Sequence, residues 1–363
     1  MSHVAHIKGN TLVICLSPYS GGMEMDAIKL ARLLCEDVGV TLLAKSGCFI
    51  EGYYQKYMLD SNIDLKTVNF STAFSPAIIR KTRLVLQEKA IRNVVFFGAS
   101  ELRSLYFAFL GYDLNVLVRH GTTKTRPKKD WLHRLVYSCV DYHIAICQHL
   151  ADNVKFIIPL AKKTQLKVIY PSLRQEPHLI LDREQDETVR LLHVGRVADG
   201  KGQREAIEAC SVLHERKIAF ELVLVGEIDP AYEKSFNKQL NKKPYAHAIR
   251  VVGYTDDVGK YYQQADIFIF PSKGEGLSNS FIEALSYGLI CVAYDNTSFP
   301  ELRRLGFTFY LAQDKNIVNL KNMLLKAVEQ RNNVSIPLVE QANHALSFFS
   351  AEREKNEYLH LLQ

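Results

Sequence analysis

The chain of 363 residues has one Trp and five Met, and none of its seven Cys stands at C-x-x-C spacing with another. The cysteines lie at 15, 35, 48, 139, 147, 210 and 291, several inside apolar runs such as Val13-Ile14-Cys15-Leu16. An odd, scattered set excludes a disulfide framework and a Cys/His zinc cluster, and fits reduced thiols of a cytoplasmic protein. No apolar run approaches the roughly 18 residues that span a bilayer, so no transmembrane helix is expected. No secretory signal is recognisable: the run 11–16 is only strand-length, and no Ala-x-Ala cleavage site follows it. Short-period repeats and low-complexity tracts are missing too. At 47% hydrophobic and 23% charged residues, the composition excludes collagen, disordered chains and coiled coils.

The length suits about two domains, each able to bury its own core. The formal net charge of +6 is uneven. Residues 1–180 carry 23 Lys/Arg against 14 Asp/Glu, and residues 181–363 carry 22 against 25. A basic first half suits an anionic partner, or is simply a solvated face. Short β-branched runs alternate with amphipathic stretches along the whole chain. Strands are predicted at 11–16, 40–44, 93–97, 114–119, 142–146 and 165–169, then at 190–194, 220–225, 249–252, 267–270, 290–294 and 308–311. Helices are predicted between them, at 23–35, 76–88, 101–110, 130–139 and 148–157, then at 202–215, 232–240, 257–264, 279–287 and 315–331. This alternation means α/β architecture, parallel sheets covered by helices on both faces. Polar, charged residues 172–188 mark a break. The expected layout is a first domain at 1–172, a linker at 173–188, a second domain at 189–345 and a final segment at 346–363. Two doubly wound domains would place ligands at the carboxyl ends of their strands, in the cleft between them.

Three loops could carry chemistry. Ser17 to Glu24 contains Gly21-Gly22 at a strand-to-helix turn, which suits a phosphate or sugar hydroxyls or is a plain tight turn. G-x-G-x-x-G is absent there. The segment Gly195-Arg196-Val197-Ala198-Asp199-Gly200-Lys201-Gly202 matches G-x-x-x-x-G-K, but Gly202 stands where a Walker A loop needs Ser or Thr for magnesium. What remains is two cations, Arg196 and Lys201, able to neutralise a diphosphate, or two solvated charges. The most informative stretch is 270–285. Glu275 sits in a Gly-flanked loop, with Glu283 expected in the first turn of the next helix, and amides of residues 276–279 suit an anion or sugar oxygen. A capping box, Ser280-x-x-Glu283, would account for Glu283 without any ligand.

Together these stretches resemble the retaining glycosyltransferases of family four, of the two-Rossmann GT-B fold. The resemblance covers nearly the whole chain and is strongest over 189–305. It implies that Arg196 and Lys201 hold the donor diphosphate, that Glu283 binds the ribose hydroxyls, and that Glu275 contacts the transferred sugar. Gly276, Leu277 and Ser278 would add backbone amides, the segment at Tyr254 would line the nucleobase, and Gly22 would lie near the diphosphate. His120 matches a histidine that reaches the donor sugar. Cys147 departs from the family's frequent Ser, and Asn296-Thr297-Ser298 lacks its glycines. The implied reaction moves a sugar from a nucleoside-diphosphate sugar to a saccharide or glycolipid acceptor with retention, as in cell-surface polysaccharide or lipopolysaccharide core synthesis. No cofactor or metal would be needed, because two cations serve the leaving diphosphate and no D-x-D cluster is present. The basic run Lys124, Arg126, Lys128, Lys129 with Trp131 suits an acidic acceptor or an anionic membrane surface, or is a solubilising helix start. Nucleic acid is disfavoured, since no stacking aromatics accompany the charge. The location expected is cytoplasmic, peripheral on the inner membrane face. A catalytically silent anionic-glycan scaffold and a sugar-nucleotide epimerase on the same fold are the alternatives. The final helix, 351–362, would return to the first domain on a face of Tyr358, Leu359, Leu361 and Leu362.

Overall fold

The computed structural model describes residues 9–174, 187–332 and 337–363. Most of the expected linker, 175–186, lies outside them. The chain forms two compact units, Met1–Ser172 with Ala351–Gln363, and Leu173–Ser350.

The first unit is built on seven strands: β1 (Asn10–Cys15), β2 (Val40–Lys45), β3 (Ile63–Val68), β4 (Ile91–Phe97), β5 (Asn115–His120), β6 (Tyr142–Ala145) and β7 (Gln165–Val168). They pair in parallel in the order β3-β2-β1-β4-β5-β6-β7. Along β1, Leu12 and Ile14 enter one buried cluster and Val13 and Cys15 the other. Successive side chains therefore serve opposite faces, each covered by helices, which is why the strand reads as a continuous apolar run. The helix Ala351–Leu361 packs on this unit. Tyr358 and Leu362 are buried, with Leu359 and Leu361 against the same core. Its Glu354 carboxylate is also buried, accepting from the Ser172 amide (2.8 Å) and hydroxyl (2.6 Å) and pairing with Lys29 (2.9 Å).

The second unit has six parallel strands: β8 (Val189–Val194), β9 (Phe220–Val225), β10 (Ile249–Gly253), β11 (Ile267–Phe270), β12 (Ile290–Tyr294) and β13 (Tyr310–Ala312). Their order is β10-β9-β8-β11-β12-β13. One face buries Leu191, Leu222, Ile267 and Val292. The other is aromatic, with Phe281 edge-on to Phe268, Phe299 and Phe309. Both units are thus doubly wound and Rossmann-like.

Among the described residues, one strand and three α-helices were not predicted, nor was the 3₁₀ turn Ala246–Ala248. The strand β3 and the helix Phe49–Tyr57 are sheet-edge structure, and β3 (Ile-Asp-Leu-Lys-Thr-Val) buries only its two ends. An edge strand half open to solvent lacks the continuous apolar signal of its neighbours. The helices Phe299–Arg304, which has Pro300 in its first turn, and Pro337–Phe348 were also missed. The single helix predicted over 202–215 is two, Gln203–Ala209 and Ser211–Glu215, meeting at Cys210.

Candidate functional site

Ligands of open parallel sheets bind where the strand order reverses, beyond the carboxyl ends of the strands. In the second unit that point lies between β8 and β11. The loops leaving them are the two that the sequence singles out, 195–202 and 271–278. Gly202 has φ +92, and a Cβ there would sit 2.5 Å from the carbonyl carbon and oxygen of Pro271. Only glycine lets the loops approach this closely. The Lys273 amide then donates to Gly200 O at 2.8 Å, and the Gln203 side-chain amide to Arg196 O at 3.0 Å.

Beneath the first loop, His193 is fully buried and stacked on Phe270, ring centroids 5.0 Å apart. Its Nε2 lies 3.0 Å from Lys201 O, a carbonyl that can only accept, so the proton is on Nε2. Burial pushes its pKa down to about 4, which keeps the ring neutral. With its backbone so held, Lys201 places Nζ 2.7 Å from Glu275 Oε1. Arg196 is exposed and makes no ion pair among the described residues. The Glu275 amide donates to Thr297 Oγ1 at 3.4 Å. Thr297 has φ +48, a conformation that costs a β-branched residue about 1–3 kcal/mol. Asn296 steadies it, donating to Ser272 O (3.0 Å) and Asp314 Oδ1 (2.7 Å) and accepting from the Thr297 hydroxyl (3.1 Å). The departure from glycine in this segment is accommodated by strain and a side-chain network.

Glu283 is not where the sequence put it. The helix Asn279–Ser286 is capped by Ser278, whose hydroxyl accepts from the Phe281 amide at 3.3 Å. Ser280 instead meets the Ser278 hydroxyl at 3.0 Å. The alternative capping box is therefore not formed, and Glu283 lies in the second turn rather than the expected first. Its Oε2 accepts from the Tyr262 hydroxyl at 3.0 Å, and Arg174 Nε stands 4.0 Å from Oε1. Tyr262 is buried and stacked on Tyr287 at 5.1 Å. Burial, then the Glu283 charge, drives its hydroxyl pKa well up, so it remains a proton donor. Leu277 is buried in the same loop as Gly276. Tyr254 is 61% exposed after β10, its hydroxyl donating to Asp256 at 2.7 Å. Tyr262, His193 and Thr297 are the residues that sequence reading missed. A His inside an apolar strand end was the one available signal.

In the first unit, Gly22 opens the helix Gly22–Leu34. Glu24, buried in its first turn, already supplies a negative charge at that helix start, which weakens the expectation of a phosphate there. His120 ends β5, buried, with Nε2 2.8 Å from His143 Nδ1. His143 Nε2 is buried without a partner. An unmet acceptor costs less than an unmet donor, so His143 donates through Nδ1 and His120 carries its own proton on Nδ1. Burial, then His143, keeps the His120 pKa well below its ordinary value and the ring neutral. Lys124, Arg126, Lys128 and Lys129 share the loop before the helix Trp131–Tyr137, and Trp131 is 75% exposed. Cys147 caps the helix Gln148–Ile157 without a side-chain cap bond. Among the described residues, no His, Cys, Asp or Glu cluster is arranged to hold a metal. No helix among them is long and apolar enough to cross a membrane.

Residues 182–343 match the family model described as glycosyl transferases group 1. The amylovoran biosynthesis glycosyltransferase AmsK of Erwinia amylovora is 27% identical over 161 residues, 42% of this chain and 39% of its own length. The lipopolysaccharide 1,6-galactosyltransferase of Escherichia coli is 24% identical over 205 residues, 54% of this chain and 55% of its own. The matched stretches thus span only about two-fifths to a little over half of those relatives. In fold, the chain is similar to Anabaena HepE, solved in complex with UDP, with TM-score 0.79 and 15% identity over 97% of this chain and 98% of that one. Residues 182–343, which form most of the second unit, are thus similar to the group 1 glycosyl transferases.

Proposed function

We propose that the protein transfers a sugar, with retention of anomeric configuration, from a nucleoside-diphosphate sugar to a saccharide or glycolipid acceptor of a cell-surface polysaccharide. The observation that carries this reading is the 2.7 Å pair between Lys201 and Glu275, which joins a cation loop to a carboxylate loop at the switch point of the second unit. Arg196 and Lys201 would hold the diphosphate and stabilise its charge as the glycosidic bond to it breaks. Glu283, oriented by Tyr262, would bind the ribose hydroxyls, and Tyr254 would offer its exposed ring to the base. Glu275 would contact the transferred sugar. The neutral His120 would donate a hydrogen bond to a sugar hydroxyl through Nδ1. With Glu283 given to ribose, a phosphate oxygen of the donor takes the acceptor's proton, so no protein nucleophile and no metal is invoked.

The names of the relatives, amylovoran and lipopolysaccharide enzymes, and the UDP bound by HepE support this reading. The exposed Trp131 beside Arg126 and Lys129 supports a peripheral stay on an anionic membrane surface. Donor hydrolysis tests the reaction: purified protein should slowly release nucleoside diphosphate from one of several nucleotide sugars. Inertness with every donor would favour a silent glycan-binding scaffold.

A further inference from the structure

We propose that a cavity of about 160 Å³ in the first unit is an oxyanion subsite that takes a phosphate or carboxylate group carried by the acceptor saccharide. This assignment rests on the glycosyl-transfer reading above. The cavity opens beyond the carboxyl ends of β4 and β5 and is lined by Ser100, Arg103, Lys128, His133 and Tyr137, with Ala73, Ala99 and Val136 completing its wall. It is too small for a whole sugar, since small-molecule pockets run to about 300–1,000 Å³. It exceeds a single water's share of about 30 Å³ by enough to admit one compact charged group.

Two of its lining residues, Arg103 and Lys128, carry positive charge in an otherwise largely apolar wall. Arg103 and Lys128 make no ion pair among the described residues. Two carboxylates each bond a lining residue, and neither pairs with Arg103 or Lys128. Asp130 accepts from the His133 amide (3.1 Å) and Nδ1 (2.5 Å), and Glu101 accepts from the Ser100 hydroxyl (2.7 Å). Burial, then the charge of Lys128, lowers the pKa of neighbouring Lys124, outweighing the opposite pull of Glu101. A planar guanidinium beside an ammonium is a donor set suited to phosphate or carboxylate.

The loop that carries Lys128 is fixed in place. The Lys124 amide and carbonyl bond the Asn153 side chain (2.9 and 2.8 Å), and the Lys128 amide donates to Ile157 O (2.8 Å). Such a site loses little entropy on binding. The cavity also connects inward. Tyr137 packs on His143 with ring centroids 5.6 Å apart, and His143 bonds His120. An acceptor anchored here by its anionic group would therefore lie one ring and one imidazole from the histidine assigned to the donor sugar.

The test uses the full chain without any nucleotide sugar, following the fluorescence of Trp131, the only tryptophan, with calorimetry as a second readout. Glucose 6-phosphate, glucuronate and methyl glucoside are titrated into wild type, Arg103→Gln, Lys128→Gln and Arg80→Gln. Arg80 is exposed and does not line the cavity. We expect saturable binding of the phosphate sugar, the carboxylate sugar or both, weakened about tenfold by R103Q and by K128Q and unchanged by R80Q, with the neutral glucoside silent. Which anion binds tells phosphate from carboxylate as the group recognised. Equal binding of the neutral sugar, equal loss in R80Q, or no saturable binding of either anion would overturn the proposal. Donor hydrolysis measured separately distinguishes the failures: turnover without anion binding removes only this subsite, and anion binding without turnover removes the transfer reading.

Discussion

Lys201 and Glu275 meet at 2.7 Å across the point where the second sheet reverses its strand order, and the backbones of their two loops are tied by the Lys273 amide on Gly200 O. The pair is partly exposed, Lys201 at 35% and Glu275 at 16% of their side-chain surface, so it contributes little to folding, about 1 kcal/mol. Lys201→Ala should therefore lower turnover by about 10²-fold or more, the scale of losing one charge-stabilising donor, while the melting temperature moves by only a few degrees. Steady-state kinetics and thermal melts on the same preparation check this. Parallel loss of both would make Lys201 a structural residue.

Gly202→Ala tests the approach of the two loops. The added Cβ would meet Pro271 at 2.5 Å, at a φ of +92. We expect a loss of about 2–4 kcal/mol in urea denaturation, together with weaker nucleotide binding. A neutral Gly202→Ala would show that the loops pack less closely than described here.

Tyr262 is a positioning residue, since it acts through Glu283. Tyr262→Phe removes the hydroxyl that holds Glu283 Oε2. The donor KM should rise about tenfold with kcat within about twofold, because ribose binding serves ground and transition states alike. A drop in melting temperature with unchanged KM would assign Tyr262 to packing alone.

His193 gives a pH dependence with a definite sign. Its folded pKa is pushed down to about 4 by burial, against about 6.5 in an unfolded chain. Protonation therefore opposes the fold. The stabilisation is complete above pH ~6.5 and is withdrawn as pH falls from there towards 4. His193→Gln keeps an N–H donor for Lys201 O and cannot titrate. It should flatten the stability–pH slope in that window by up to one proton, about 1.4 kcal/mol per pH unit. Urea midpoints at pH 7, 6 and 5 measure it, and identical slopes in both proteins would contradict the buried neutral ring.

The strands buried on both faces were legible as apolar runs. Predicted and observed ends agree for 220–225, 267–270 and 290–294. The edge strand β3 was not, because solvent on one side lets Asp64 and Lys66 interrupt the run. Loops carrying Gly and charge at strand ends revealed Lys201 and Glu275, since local chemistry and position coincide there. The cap is Ser278, and the capping box that Ser280 and Glu283 offered as an alternative is not formed; two serines two residues apart give the same local signal. Tyr262 was invisible for a different reason: its role is a tertiary bond to a carboxylate 21 residues away, and nothing in Gly259–Gln264 marks one tyrosine over its neighbour. Glu354 likewise reads as one charge among many on a polar helix, yet it is buried against Ser172 and Lys29.

The central claim is that the second unit grips a nucleoside diphosphate through Arg196 and Lys201. A thermal-shift panel of UDP, GDP, ADP and CMP tests it most directly, since a ligand at a hundredfold excess over Kd stabilises by about 2.7 kcal/mol. The account predicts that at least one diphosphate raises the melting temperature by several degrees and that Arg196→Ala abolishes the rise. If no nucleotide moves the transition, or the shift survives in Arg196→Ala, the donor site assigned here is wrong.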